Sequence, residues 1–99
     1  MVKHIILWKL KDGISDAEKS EIKKNAKNAL EGLNGKIDGL LKIQLRTESL
    51  SSSNADMMLV SCFDNAESLA GYQKHPLHLA ADNFVRPFTG QRLCLDFEE

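Results

Sequence analysis

The spacing of hydrophobic positions changes several times along the chain, and each change marks an element. Val2 to Leu10 is apolar at successive central positions, Ile5-Ile6-Leu7-Trp8, so this predicted strand needs cover on both faces. Asp12-Gly13 breaks it. Ser15-Asp16-Ala17-Glu18 then forms a capping box, with Ser15 as N-cap and Glu18 reaching back to its amide. The helix that follows presents Ile22, Ala26, Ala29, Leu30 and Leu33 on one stripe. Asn34-Gly35 ends it, because glycine takes the left-handed conformation cheaply.

From Gly39 to Thr47 the period shortens to two. Leu41, Ile43 and Leu45 are expected on one face, with Lys42, Gln44 and Arg46 on the other. The serine-rich stretch Leu50 to Asn54 reads as a connection. Met57 to Phe63 is a third strand, again largely apolar in its middle. Asp64-Asn65 can cap a second helix that starts near Ala66, carries Leu69 and Tyr72, and breaks before Pro76. Helical spacing resumes with Leu77, Ala80, Ala81 and Phe84 and stops at Arg86-Pro87. Gln91 to Phe97 closes the chain as a strand, with Leu93, Leu95 and Phe97 sharing a face.

This order predicts one α+β domain of the ferredoxin-like βαββαβ kind, spanning residues 1–99, with a four-stranded antiparallel sheet. Two helices cover one face of that sheet. The other face is apolar too, and a single chain has nothing left to cover it. A homodimer that stacks two sheets solves this, since about 500 Å² of apolar burial contributes roughly 12 kcal/mol in gross terms.

Composition narrows the function classes. A chain 42% hydrophobic and 27% charged is ordinary for a globular domain, which argues against disorder. The net charge of −1 lacks the basic excess that nucleic acid demands. Lys3, Lys9, Lys11, Lys19, Lys23, Lys24 and Lys27 make the first third basic, but Asp16, Glu18 and Glu21 interrupt the run, the pattern of a solvated helix face. No apolar run approaches the roughly 18 residues of a membrane span. Cys62 and Cys94, each in an apolar strand-like run, read as buried reduced thiols rather than a disulfide framework. A soluble, cytoplasmic protein is expected.

The three histidines are the most informative polar residues. His4 interrupts the first strand, and His75 and His78 flank Pro76-Leu77. Pro76 breaks the helix between the latter two, which weakens a paired metal site. No acidic residue is paired locally with any histidine, so no metal is expected. The structural alternative is that His75 caps the broken helix and His78 binds a backbone carbonyl. For acid–base chemistry, His78 is the candidate base and Tyr72, the only tyrosine, the candidate partner of a substrate oxygen. Asp56 either holds a histidine or ends the loop before the third strand. Trp8 and Met57 read as core. No phosphate loop, nucleophile elbow or dinucleotide fingerprint appears, and no cofactor is expected.

The opening Val2-Lys3-His4-Ile5-Ile6-Leu7-Trp8-Lys9-Leu10, Asp56, and the run Tyr72-Gln73-Lys74-His75-Pro76-Leu77-His78 resemble the stress-responsive A/B barrel domain family. The resemblance covers essentially the whole chain and implies a dimeric α+β barrel with a pocket between sheet and helices. One plant branch contains polyketide cyclases of the olivetolic acid type, which work by aldol chemistry. By that resemblance His78 would be the base, Tyr72 would meet the substrate oxygen, and His4 would line the pocket with His75, Trp8 and Met57. Those cyclases carry a further pocket histidine where this chain has Met57. Three functions compete: a homodimer binding a small, largely apolar or polyketide-like ligand, a cyclase- or isomerase-type enzyme, and a structural stress protein forming higher oligomers.

Overall fold

The computed structural model describes all of Met1–Glu99. Strand β1 (Val2–Leu10) lies inside a sheet ordered β2-β3-β1-β4, with β2 at Leu40–Arg46, β3 at Met57–Phe63 and β4 at Thr89–Glu98. All three pairings are antiparallel. Helices α1 (Asp16–Glu31), α2 (Ala66–Lys74) and α3 (Pro76–Val85) cover one face. The element order is therefore βαββααβ, the expected ferredoxin-like plan with its second helix split in two at Pro76.

The capping box at α1 forms: the Ser15 hydroxyl accepts from the Glu18 amide at 3.2 Å. Its second half differs, since Ser15 Oγ donates to the Glu18 carboxylate at 3.0 Å. Ile22, Ala26 and Leu30 are the buried stripe of α1. They meet Val2, Ile6, Trp8 and Leu10 of β1 and Met57, Leu59 and Phe63 of β3 in a single core. Asp56 ends its loop and holds no histidine. Its carboxylate accepts from the Leu10 amide at 2.7 Å, while its own amide donates to the Trp8 carbonyl at 2.8 Å.

Three expectations need correction. Leu41 is exposed and Leu40 buried, because the β2–β3 register slips between Leu40 and Lys42 and shifts the alternation by one residue. In α3 the buried residues are Ala81 and Val85, whereas Leu77 and Phe84 are exposed. The break at Pro76 starts a new helix axis, so the stripe does not continue from α2. Cys94 is exposed and Cys62 only half-buried, although both are free thiols. On the helix-side face of the edge strand β4 the helices pack less closely than over β1 and β3, so Arg92, Cys94 and Asp96 remain exposed.

The opposite face of the sheet is open. Cross-strand pairing aligns Leu7 with Leu93 and Ile5 with Leu95 there. Leu93 is 59% exposed and Leu95 64%, and Phe97 and Leu7 are exposed to a lesser degree. No helix is long and apolar enough to cross a membrane.

Candidate functional site

The site begins where the second helix breaks. The residue before a proline avoids the helical region, and His75 is accordingly extended at φ −70°, ψ 135°. It closes α2 by donating its amide to the Tyr72 carbonyl at 3.1 Å, and it caps α3 by accepting the Leu77 amide on Nδ1 at 3.1 Å. His75 is thus committed to the backbone. The new helix carries His78 one turn further on, over Tyr72.

Tyr72 is fully buried, and its ring lies 4.2 Å from that of His78, 5.0 Å from Phe63 and 6.2 Å from His4. The four rings form one aromatic cluster between the sheet and α2–α3. Within it the Tyr72 hydroxyl and the His78 Nδ1 are both buried without a hydrogen-bond partner. Leaving such a group unpaired costs about 1–3 kcal/mol. Two of them on adjoining rings are unusual in a core of this size.

His78 opens onto a cleft of about 390 Å³, lined also by Trp8, Gln73, Leu79, Asp82, Arg86, Thr89 and Arg92. This lining is mostly polar, which departs from the expected largely apolar pocket. Arg86 is paired with Asp82 one helical turn earlier. Arg92 stands opposite Trp8 in the β1–β4 register, at the sheet wall of the cleft.

Burial lowers the His78 pKa from its usual 6.5, with the Asp82 carboxylate and the nearby Gln73 backbone carbonyl partly opposing it. That carbonyl is the backbone contact the structural alternative foresaw, though it falls short of a well-formed hydrogen bond to Nδ1. Burial raises the Tyr72 pKa far above its usual 10.0, and Asp82 adds to the effect. At neutral pH the pair is therefore a neutral imidazole beside an intact phenol. A base whose folded pKa is depressed contributes stability that is complete above the unfolded value near 6.5 and is lost as pH falls below it. Titrating the imidazole by NMR should give a His78 midpoint below 6.5, and a midpoint above it would contradict this environment.

His4 has a partner that local sequence does not reveal. The β1–β4 register sets it against Asp96, and His4 Nδ1 donates to the Asp96 carboxylate. The expectation that no acidic residue pairs with a histidine is thereby corrected, over a separation of 92 residues. Cys94 adjoins both, with Sγ 3.7 Å from His4 Nδ1 and 3.5 Å from Asp96 Oδ1. Burial and Asp96 raise its thiol pKa.

The structure thus gathers His4, Tyr72 and His78, with Trp8 at the cleft wall. Met57 faces the core across from Trp8 and does not line the cleft, and neither does His75. His4 and Tyr72, expected at the pocket, lie buried behind His78 and do not line it either. Sequence reasoning missed Asp82, Arg86, Arg92, Cys94 and Asp96. Asp82 and Arg86 had a local signal, each four residues beyond the last along one helix face from His78. The others depend on how the first and last strands align.

A ferredoxin-like α+β domain with an aromatic, histidine-bearing cleft between sheet and helices is the class these features define. The match to the stress-responsive A/B barrel domain runs over residues 2–99, so the chain belongs to that family. A dimeric ferredoxin-like protein of unknown function from Bacteroides fragilis is 34% identical, with 99% of this chain and 95% of that one covered at a TM-score of 0.92. A dimeric ferredoxin-like protein of unknown function from Thermobifida fusca is 25% identical, covering 97% and 88% at a TM-score of 0.82. A Dabb family protein with a ferredoxin-like fold from Mesorhizobium loti shares the fold at 18% identity, covering 99% and 95% with a TM-score of 0.74. Among curated proteins, none matches the chain.

Proposed function

We propose that this protein is a homodimer that binds a small, oxygen-bearing ligand in the cleft beneath α3. The observation that carries this reading is the pair of buried polar atoms without a side-chain partner, Tyr72 Oη and His78 Nδ1, on rings whose centroids lie 4.2 Å apart. A ligand oxygen in the cleft that reaches His78 would remove one desolvation penalty, and a small shift of the Tyr72 ring behind it would let the phenol share the same oxygen. Arg92 at the rim favours an anionic group on the same ligand. The open apolar sheet face and the dimeric relatives support the two-chain assembly. Free Cys62 and Cys94 support a reducing, cytosolic setting.

The test is an NMR titration with 2,4-dihydroxybenzoate, a small probe carrying both hydroxyls and a carboxylate. Binding should perturb His78 and Tyr72 signals. His78→Gln should weaken it about tenfold, the equivalent of one good polar contact of about 1.4 kcal/mol. Perturbations confined to other surfaces, or equal affinity in the variant, would reject the cleft as the binding site.

A second reading makes the site catalytic. It is favoured by the protonation states, a neutral imidazole able to accept a proton beside a phenol able to donate a hydrogen bond. His78 would remove the proton α to a carbonyl, and Tyr72 would stabilise the enolate oxygen, as a cyclase or isomerase requires. Deuterium incorporation into a β-diketone in heavy water, faster with the wild type than with His78→Gln, would favour it. Equal rates would leave binding as the function.

A further inference from the structure

We propose that His4, Cys94 and Asp96 form a binding site for a zinc-type divalent cation on the helix-side face of β4. The reading of the cleft rests on Tyr72 and His78, and this site shares neither residue. His4 Nδ1, Cys94 Sγ and an Asp96 oxygen all lie within 4.8 Å of one another. Three chemically different ligands converge there from the first and last strands.

Geometry and ligand type point to the same ion. Around a tetrahedral zinc with Zn–S near 2.3 Å and Zn–N or Zn–O near 2.1 Å, neighbouring ligand atoms sit roughly 3.4–3.6 Å apart. The two sulfur separations, 3.7 Å to His4 and 3.5 Å to Asp96, already match two edges of that tetrahedron. The third edge is closed by the direct His4–Asp96 contact. Rotation of the exposed Asp96 side chain opens it. A thiolate, an imidazole and a carboxylate together suit zinc, whereas magnesium and calcium select oxygen-only sets.

The fold prepares the site on one side and leaves it open on the other. His4 is 1% exposed, and its ring is held edge-on between Phe63 and Tyr72 at centroid distances of 6.5 and 6.2 Å. The imidazole is therefore fixed before any ion arrives. Cys94 and Asp96 face solvent and give the ion its entry path. Binding releases the Cys94 proton to solvent, and the thiolate and carboxylate together neutralise the divalent charge. Three protein ligands leave a fourth position for water, the arrangement of zinc sites that retain an open coordination position.

Cobalt(II) is the probe, because a bound thiolate gives it a near-ultraviolet charge-transfer band. Titration of the reduced, chelator-treated full chain should saturate at one cobalt per chain, and zinc should displace it. Cys94→Ser should abolish the band, while Cys62→Ser should keep it. Asp96→Asn should weaken cobalt binding by more than about tenfold, since even outer-shell changes cost about 10–100-fold. Both altered residues in the site are exposed, so their variants fold. Absence of a band in the wild type, persistence in Cys94→Ser, or equal loss in Cys62→Ser would each overturn the site.

Discussion

Replacing Leu95 by Asp is expected to yield a folded monomer in place of a dimer. Leu95 is 64% exposed on the open sheet face and pairs with Ile5, beside Leu93 and Leu7. The substitution removes nothing from the core beneath the helices. In a two-fold dimer each substitution counts twice. Losing two buried leucines costs about 3–6 kcal/mol, and two carboxylates left facing an apolar sheet add to it. At about 1.4 kcal/mol per factor of ten, the dissociation constant should rise at least 100-fold. Light scattering at micromolar concentration should therefore fall from about 22 kDa to the 11.1 kDa of one chain, with an unchanged far-ultraviolet spectrum. A variant that stays dimeric would place the interface elsewhere. A wild type larger than a dimer would favour the structural stress protein.

The elements were legible because each satisfied a local rule. Ser15 and Asn65 cap their helices through their own side chains, and Pro76 splits the second helix where its ring must. The two-sided apolar pattern of Ile5 to Trp8 announced a sheet with two faces to cover. Other features fell outside local rules. The slip at Leu40–Lys42 is an event of strand pairing, invisible to an alternation read within one strand. The exposure of Cys94 follows from β4 lying at the edge of the sheet.

The same division holds for the site. Tyr72, His75 and His78 sit within seven residues, so their shared neighbourhood could be read from the helix and its break. That His75 spends its imidazole on the backbone follows from the proline after it, and leaves His78 free to face the cleft. Asp96, Cys94 and Arg92 reach His4 and Trp8 only through the β1–β4 register, across almost the full length of the chain. Pairing between the first and last strands is set by packing and sheet order. A single sequence carries almost no record of it.

Phe63→Ala should have the largest effect on stability, and its cause ties the core to the site. Phe63 is fully buried at the end of β3 and packs 5.0 Å from the Tyr72 ring and 6.5 Å from His4. Truncating a buried phenylalanine costs about 3–5 kcal/mol, and lost aromatic pairing contributes about 0.5–1.5 kcal/mol within that range. In a domain whose total stability is about 5–15 kcal/mol, that is a large fraction. A chain of this length should lose more than about 10 °C in melting temperature. The cavity would lie beneath both rings that position the cleft, so Tyr72 and His4 should also lose their fixed orientation. Phe63→Leu fills most of the volume and should stay folded, which allows the two effects to be separated. If the platform matters, Phe63→Leu should bind 2,4-dihydroxybenzoate more weakly than the wild type while melting only a few degrees lower. Unchanged binding in Phe63→Leu would mean that Tyr72 is held by α2 alone. A melting temperature for Phe63→Ala within a few degrees of the wild type would show that the core collapses to fill the gap.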